Sequence, residues 1–357
     1  MNLRAFLDFG LILPIFGLMG ISVSVIVSSN SSLVSQQITS FIFGLFLFIF
    51  FSSVDYRLWR KFAWLFYGFS LILLLLTYAN PLVRGSNRWI EFATLRFQPS
   101  EIIKPFITIY FIFLLIQEKK LSLIPFLKPF FFLFPIFILI FKQPDLGNFL
   151  VYFFTFLAIE IMVGIPLIYI VMIVISSILG FPFIWRLLQQ YQKSRILTFL
   201  NPHTDSIGAG YNAIQAMIAI GSGKIFGLGL GRGTQSHLLF LPEYHTDFIF
   251  ASIGEELGFF GGFLVILFYF ILLGRIIKIS MDADDQFGKL LSIGIFAQIF
   301  IQVLINIGMN LGVVPITGIT LPLLSYGGSS IIAVFIGLGM VASIGNIHKR
   351  QSTIVIR

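Results

Sequence analysis

Four charged residues lie where long apolar segments of this sequence meet polar loops: Glu101, Lys104, Asp145 and Asp247. An ionisable side chain at such an edge is costly to bury and usually faces a cavity, a partner or a substrate. A partly desolvated carboxylate could act as a general base, and a cation could stabilise an anionic leaving group. Glu101 and Lys104 are three residues apart and would share one face of a helix. We therefore expect them to form an ion pair near Asp247, in one polar cavity.

Each of these residues also has a simpler structural interpretation. The segment 98–101, Gln-Pro-Ser-Glu, has the composition of a helix start, in which Glu101 could cap the helix and pair with Lys104. The segment 144–147, Pro-Asp-Leu-Gly, could be a turn or a cap, and 245–247, His-Thr-Asp, could cap a later helix. The residues alone leave the chemical and the structural interpretations open.

The composition is that of a membrane protein. Hydrophobic residues make up 57% of the 357 residues, charged residues make up 11%, and the mean hydropathy is +0.98, whereas about a quarter of a soluble domain is charged. A bilayer needs about 20 apolar residues per spanning helix. We predict an all-α, polytopic integral membrane protein with about ten transmembrane helices, folded as one domain over residues 1–357. The predicted spans lie near 8–28, 36–53, 61–79, 99–117, 123–141, 147–163, 165–185, 248–273, 287–310 and 329–346.

Ten spans place both termini on the same side of the membrane, and the loop charges indicate which side this is. The short loops 56–61 and 117–128 are basic, whereas the loop 29–37 carries no charge. Because cytoplasmic loops are enriched in Lys and Arg, we predict a plasma-membrane protein with both termini in the cytoplasm. The membrane topology then accounts for the net charge of +8, and we expect no nucleic-acid partner.

The longest polar segment, residues 186–247, precedes the eighth predicted span, and we call it the long loop. We expect it to be extracytoplasmic and partly helical, because structureless loops of this length are uncommon. Residues 186–197 could extend the seventh helix, and 211–220 form an amphipathic segment typical of a membrane interface. The glycine-dense segment 221–233 lacks the Ser or Thr of a phosphate-binding loop and the preceding strand of a dinucleotide site. Its glycines instead favour tight turns or close backbone approach.

Basic residues on the predicted outer face need an explanation, because this face normally carries few of them. An anionic ligand would explain them, and so would ion pairs with Glu91, Asp205 and Glu243. Both explanations are open from the sequence. The basic residues concerned are Arg84, Arg88, Arg96, Arg186, Lys193, Arg195, Lys224 and Arg232.

Four motifs resemble, in this order, those of the SEDS family of bacterial shape, elongation, division and sporulation proteins. They are Arg-Phe-Gln-Pro-Ser-Glu at 96–101, Gln-Pro-Asp-Leu-Gly at 143–147, the segment 240–258 with His-Thr-Asp and Gly-Glu-Glu-Leu-Gly, and the segment 315–330, which ends in Ser-Tyr-Gly-Gly-Ser-Ser. The resemblance covers nearly the whole chain and includes the ten spans. The motifs look most like the RodA branch, and FtsW and SpoVE sequences are also similar.

This resemblance implies a peptidoglycan glycosyltransferase that polymerises lipid II, a disaccharide-pentapeptide on undecaprenyl pyrophosphate, for cell elongation and shape. The family's essential aspartate corresponds to Asp247, which would act as the base when a sugar 4-hydroxyl attacks the anomeric carbon with inversion. Its buried Glu and Lys correspond to Glu101 and Lys104, and its Gln-Pro-Asp aspartate corresponds to Asp145. The implied partners are a class B penicillin-binding protein transpeptidase and other membrane proteins of the elongation complex.

The remaining candidate residues would bind the substrate. A multiply charged pyrophosphate needs cations, and we expect Arg195 and a divalent ion, Mg²⁺ or Mn²⁺, to stabilise it. Without Cys or clustered His the sequence offers no zinc site, so we expect the ion to bind Asp247 or Asp145 only together with substrate, and we expect no organic cofactor. The N–H groups at the start of the tenth helix could bind an anion, although capping alone would explain that motif. The candidate substrate-binding residues are Asp145, Arg195, His245, Thr246, Gln98, Ser100, Ser325, Gly327, Gly328 and Ser329.

Three other functions are open from the sequence. A lipid II flippase or another transporter would also use charged groups within the membrane and broken helices, although no internal repeat relates the two halves of the chain. A division polymerase of the FtsW type would differ in its cellular role. A non-catalytic scaffold would not need Asp247, Glu101 and Lys104 together.

Overall fold

The computed structural model describes residues 8–79, 87–92, 95–117, 123–143, 145–202, 205 and 208–355, so that Arg84 and Pro144 lie outside the described residues. Seven of the described helices are long and apolar enough to cross a membrane. Three shorter apolar stretches, in α4, α6 and α9 below, lie at the positions of the other three predicted spans. The prediction of an all-α, polytopic membrane protein is confirmed. In chain order the helices are α1 Phe9–Ser29, α2 Val34–Ser53, α3 Tyr56–Lys61, α4 Ala63–Leu76, α5 Pro99–Ile102, α6 Lys104–Ile116, α7 Leu123–Lys142, α8 Leu146–Val163, α9 Leu167–Leu187, α10 Gln190–Leu200, α11 Ala209–Ser222, α12 Thr234–His237, α13 Ile249–Met281, α14 Gln286–Asn310 and α15 Gly328–Val355.

The helix α14 lies at the centre of the bundle, where it packs against α6, α8, α13 and α15. In turn, α15 packs against α2, and α13 packs against α1. Phenylalanines of the spans are buried between helices, as for Phe111, Phe156 and Phe335, or project outwards, as for Phe131 and Phe270. Lipid tails are as apolar as a protein core, so a bundle can present such side chains on its outer surface as well.

Two predicted spans are broken by their local backbone chemistry. The fourth consists of α5 and α6, joined at Ile103, because Pro105 has no N–H to donate to the carbonyl of Glu101. The eighth extends to Met281 and is interrupted at Gly258, whose φ of 67° and ψ of −162° are not helical. Each break leaves main-chain N–H and C=O groups without a hydrogen-bond partner in the same helix. Groups from other segments of the chain then form hydrogen bonds with them.

The glycine-dense segment of the long loop contacts the break in α13. A Cβ on Gly227 would lie 2.1 Å from the carbonyl oxygen of Glu256, so only glycine allows the two backbones to approach this closely. The expectation that these glycines permit close approach is therefore confirmed. Four main-chain hydrogen bonds join the segments: Leu228 N to Glu255 O (2.9 Å), Gly229 N to Glu256 O (3.0 Å), Phe259 N to Lys224 O (2.8 Å) and Phe260 N to Ile225 O (3.1 Å).

The long loop is partly helical, as predicted, but its first helix is not continuous with the seventh span. The helix α9 ends at Leu187, and α10 begins after Gln189, which adopts an extended conformation and forms a capping box with Gln192. The expected extension of the seventh helix over 186–197 is therefore wrong. The amphipathic segment 211–220 lies within the helix α11, and its position at a membrane interface stays a prediction.

A short antiparallel sheet that the sequence did not predict lies between α4 and α5. Its strands are β1 Ile90–Phe92 and β2 Leu95–Phe97, and three-residue strands are too short to show an alternating pattern. Glu91 lies opposite Arg96, and the two side chains form an ion pair of 2.7 Å. The ion pair with Glu91, rather than an anionic ligand, therefore explains the presence of Arg96 on the predicted outer face.

Candidate active site

Asp247 lies at the end of the long loop, directly before α13, and is half-buried. Phe248, and no residue of 245–247, is the N-cap of α13 and its side chain makes no cap hydrogen bond, so the interpretation of 245–247 as the cap is wrong. The side chain of Asn310 in α14 instead accepts from the N–H of Ala251 in the first turn of α13 (3.1 Å). The main-chain carbonyl of Asp247 accepts hydrogen bonds from the side-chain amides of Asn306 and Asn310, both at 3.0 Å. Both asparagines are fully buried in α14, so they fix the backbone of Asp247 to the central helix.

The segment 315–327, which connects α14 to α15, supports the same loop from the other side. Its hydrogen bonds satisfy main-chain groups that would otherwise be buried without partners. As a result, the segment carrying Asp247 is fixed by two separate parts of the chain. The hydrogen bonds are Asn306 Nδ2 to Ile319 O (2.7 Å), Ser325 Oγ to Thr246 O (2.6 Å) and Tyr326 N to His245 O (2.8 Å).

The Asp247 carboxylate and the Arg195 guanidinium converge over Gly318. A Cβ on Gly318 would lie 3.4 Å from Asp247 Oδ2 and 3.8 Å from Arg195 Nη1. Burial lowers the pKa of the Arg195 guanidinium, whereas the neighbouring Asp247 raises it. Arginine remains protonated in proteins, so a carboxylate and a permanent cation lie together beside an exposed glycine.

A second arginine, Arg88, also contacts Tyr191. The guanidinium of Arg195 is 5.7 Å from the centre of the Tyr191 ring, and Arg88 Nη2 is 3.5 Å from the Tyr191 hydroxyl oxygen. Arg88 also donates to the main-chain carbonyl of Gln143 (2.8 Å). Arg195 interacts electrostatically with Asp145 as well as with Asp247. Two of the cations noted in the sequence therefore meet near the start of α8.

Asp145 is the acceptor of a buried hydrogen-bond cluster. Its Oδ2 accepts from Gln98 Nε2 (2.8 Å), Ser100 Oγ (2.9 Å) and Asn148 Nδ2 (2.9 Å), and its Oδ1 accepts from Asn148 N (3.3 Å). The last contact makes Asp145 the N-cap of α8, which confirms the capping interpretation. The contacts from Gln98 and Ser100 join the starts of α5 and α8, so the carboxylate also organises the segment around Ser100.

Glu101 and Lys104 form the predicted ion pair, with Lys104 Nζ 2.8 Å from Glu101 Oε2. Their exposures are only 5% and 2%, and the pair spans the break between α5 and α6. The Tyr152 hydroxyl donates to the carbonyl of Ser100 (2.9 Å) and interacts electrostatically with Glu101 and Asp145. The pair therefore adjoins the Asp145 cluster, and its closeness to Asp247 stays a prediction.

The start of α15 contacts the start of α5. The helix begins at Gly328, close to the predicted position, and Ser329 Oγ accepts a hydrogen bond from the main-chain N–H of Gln98 (2.8 Å). Gly327 and Gly328 are half-buried. Ser329 thus has a structural role between two helices, and the binding of an anion at this helix start stays a prediction.

Sequence reasoning missed the buried amides of α14. They recur every fourth residue along an otherwise apolar helix and therefore share one face. Polar amides buried in a membrane helix usually donate hydrogen bonds to a neighbouring segment, so this spacing was a usable signal. The four residues are Gln298, Gln302, Asn306 and Asn310, all buried.

Comparisons with known proteins agree with this architecture. Stage V sporulation protein E of Bacillus subtilis is 36% identical over 313 residues, which cover 86% of this chain and 85% of that protein. Peptidoglycan glycosyltransferase MrdB of Escherichia coli K12 is 34% identical over 364 residues, covering 98% and 96%. Both alignments cover most of this chain and most of each relative.

Solved structures show the same fold. A chain from a study of how a peptidoglycan synthase complex coordinates polymerization and crosslinking superposes with a TM-score of 0.83 at 28% identity, covering 96% of this chain and 98% of that one. The rod shape determining protein RodA of Thermus thermophilus gives a TM-score of 0.72 at 26% identity, covering 96% of each chain. The family profile of FtsW, RodA and SpoVE, described as cell cycle proteins, matches residues 2–350. The chain therefore belongs to the FtsW/RodA/SpoVE family, as its motifs predicted.

Proposed function

We propose that this protein polymerises lipid II into glycan strands for cell elongation and shape, with Asp247 as the general base. The observation that carries this proposal is the convergence of the Asp247 carboxylate and the Arg195 guanidinium over the exposed Gly318. The relative MrdB is a peptidoglycan glycosyltransferase, and this chain is likewise a glycosyltransferase of the peptidoglycan class.

The reaction needs a base and an anion-binding group close together. Asp247 would accept the proton of the attacking sugar 4-hydroxyl. The oxygen of that hydroxyl forms a bond to the anomeric carbon from the face opposite the leaving group. The bond from that carbon to the pyrophosphate oxygen breaks with inversion, and the electron pair leaves on undecaprenyl pyrophosphate. Arg195 would stabilise the charge that develops there, in the way that fixed cations stabilise transferring phosphates.

The other candidate residues would position these groups. The Asp145 cluster fixes Gln98 and Ser100, and Ser325 and Tyr326 hold the segment of His245 and Thr246. A mostly apolar pocket opens beside Arg195 and would accept an apolar part of the lipid-linked substrate. Its lining includes Phe199, Met217, Met309 and Ile316.

Of the two carboxylates proposed to bind the divalent ion, Asp247 is the better placed, because its Oδ2 lies beside the exposed Gly318. A carboxylate has about four lone-pair positions, and Asp145 already accepts four hydrogen bonds. Among the described residues no cluster of three or more His, Cys, Asp or Glu could hold a metal. Mg²⁺ or Mn²⁺ would therefore be shared between Asp247 and the substrate phosphates, where it would supply positive charge to the leaving group.

We predict that polymerisation depends on this ion and that the free protein binds it weakly. Excess chelator should stop product formation, and adding back Mg²⁺ or Mn²⁺ should restore it. Isothermal titration of the substrate-free protein with either metal should show no tight site. Undiminished activity in chelator, or a fully protein-ligated metal in the free enzyme, would contradict the prediction and shift leaving-group stabilisation to Arg195 and Lys104.

Purified protein with lipid II tests the function directly. We expect glycan strands, visible as a ladder on a gel, without any other polymerase. A flippase would instead move labelled lipid II across a vesicle membrane without forming strands, and a scaffold would do neither. Either result would overturn the proposal.

The proposed cellular location rests on the loop charges, and the proposed partners rest on the proteins that this chain resembles. The chain is an integral membrane protein, and the basic loops 56–61 and 117–128 support cytoplasmic termini, which would put Asp247 on the outer face. Resemblance to a chain of a synthase complex that polymerises and crosslinks supports a class B penicillin-binding protein transpeptidase as partner, together with other elongation-complex membrane proteins. A division role of the FtsW type is the alternative, because relatives of that type are 34–37% identical to this chain.

A further inference from the structure

Residues 224–240 of the long loop, which we call the strap, carry exposed apolar side chains outside any spanning helix. Phe226 is 84% exposed, which is unusual for a loop, since connecting segments are normally polar. Contiguous exposed apolar surface marks a site of contact with another protein or with a membrane. The other large apolar side chains exposed in the strap are Ile225, Leu228, Leu230, Leu238, Leu239 and Phe240.

The depth of the strap relative to the membrane follows from its hydrogen bonds to α13. The carbonyl of Ile225 accepts from the N–H of Phe260, inside the eighth span. Toward the other end of this span, Arg275 forms an ion pair with Asp8, which directly precedes α1. Arg275 and Phe260 are 275 − 260 = 15 residues apart, or about 22 Å at about 1.5 Å per residue. The hydrocarbon core is about 30 Å thick, so with Arg275 at one boundary the start of the strap lies in the opposite leaflet, about 8 Å inside the other boundary.

The apolar surface of the strap is continuous with a lipid-facing surface. Phe259, which donates its N–H to Lys224, is 70% exposed within the span, and the nearby Phe263 is also exposed. Two exposed cations, Lys224 and Arg232, lie in the same strap. Apolar side chains with interspersed cations are the composition of segments that lie in a membrane interface, where the cations meet lipid phosphates.

We propose that the strap inserts its apolar side chains into the adjacent membrane leaflet and is an interfacial anchor of the long loop. The strap is also fixed to the bundle, because the buried Glu255 carboxylate accepts from the main-chain N–H of Gln235 (2.8 Å) and from the Ser236 hydroxyl (3.1 Å). It therefore contacts lipid as a rigid element of the protein surface.

Single-cysteine labelling tests this proposal cleanly, because the chain contains no Cys. Phe226→Cys and Leu238→Cys would each carry an NBD fluorophore in the full-length protein, reconstituted into phosphatidylcholine–phosphatidylglycerol vesicles with nitroxide-labelled lipid. Phe270→Cys on the exposed surface of α13 is the lipid-facing control, and Ser194→Cys on the exposed surface of α10 is the water-facing control. Size-exclusion profiles of the variants confirm folding, and the two strap positions are independent.

We expect NBD at both strap positions to be quenched by nitroxide lipid to the extent seen at 270, and to be shielded from aqueous iodide. The label at 194 should show the reverse pattern. Iodide quenching at 226 and 238 equal to that at 194 would overturn the proposal. It would mean that the strap is open to water in the isolated protein and belongs to a protein–protein interface instead.

Discussion

An Asp247→Asn variant is expected to fold and insert normally and to lose at least about 100-fold of its lipid II polymerisation rate, the lower end of the range for a general base. The amide has nearly the same shape as the carboxylate, and the hydrogen bonds from Asn306 and Asn310 go to the main-chain carbonyl, which the substitution keeps. The expected loss is therefore one of chemistry. Initial rates of strand formation by purified variant and parent protein measure it.

The matched control is Glu243→Gln, which neutralises a carboxylate in the same loop. Glu243 Oε2 accepts from the Thr246 hydroxyl (3.1 Å), and we give it no part in the reaction, so most activity should remain. Near-normal glycan synthesis by Asp247→Asn would remove Asp247 from the role of base. Equal loss in both variants would point to a general effect of loop charge instead.

A Lys104→Met variant is expected to lose about 3–5 kcal/mol of stability, because it leaves the Glu101 carboxylate buried without its cation. The Glu101→Gln/Lys104→Met double variant should recover most of this loss, since neither buried charge then remains. Thermal unfolding of the detergent-solubilised proteins measures both effects. Arg96→Met is the surface control: it removes an exposed ion pair with Glu91 and should cost less than about 1 kcal/mol.

The double variant also separates stability from catalysis. If it is stable but cannot polymerise lipid II, the pair takes part in the reaction or in substrate binding. If it is stable and active, the pair is structural only. A Lys104→Met protein as stable as the parent would contradict the burial argument itself.

Local spacing predicted the parts of the site that lie close together in the chain. The Glu101–Lys104 pair follows from an i, i+3 separation, and the helix start at Pro99 follows from its composition. A role for Arg195 at the site was expected from the charge of the substrate, but its approach to Asp247 over Gly318 depends on how distant segments such as α10 and the segment after α14 come together around one pocket. A hydropathy pattern carries no such information.

The ten spans could be predicted from composition, but the breaks within them could not. A window of apolar residues records transfer into lipid, which depends on composition. The interruption at Gly258 depends instead on main-chain hydrogen bonds to Lys224 and Ile225, supplied by a distant segment. The buried amides of α14 show the same limit, because their spacing reveals a polar face but not the partners of that face. Gln298 donates to Lys104 and Thr108 in α6, whereas Asn306 and Asn310 donate to the carbonyl of Asp247.

Asn306 donates both to the carbonyl of Asp247 and to that of Ile319, and this shared donor constrains how the enzyme can move. A substrate that displaces one of these loops must either carry the other with it or break a buried hydrogen bond, which costs about 1–3 kcal/mol. The segments of Asp247 and Ile319 are therefore coupled through Asn306. We expect the two segments to shift together, at one rate, whenever substrate displaces either of them.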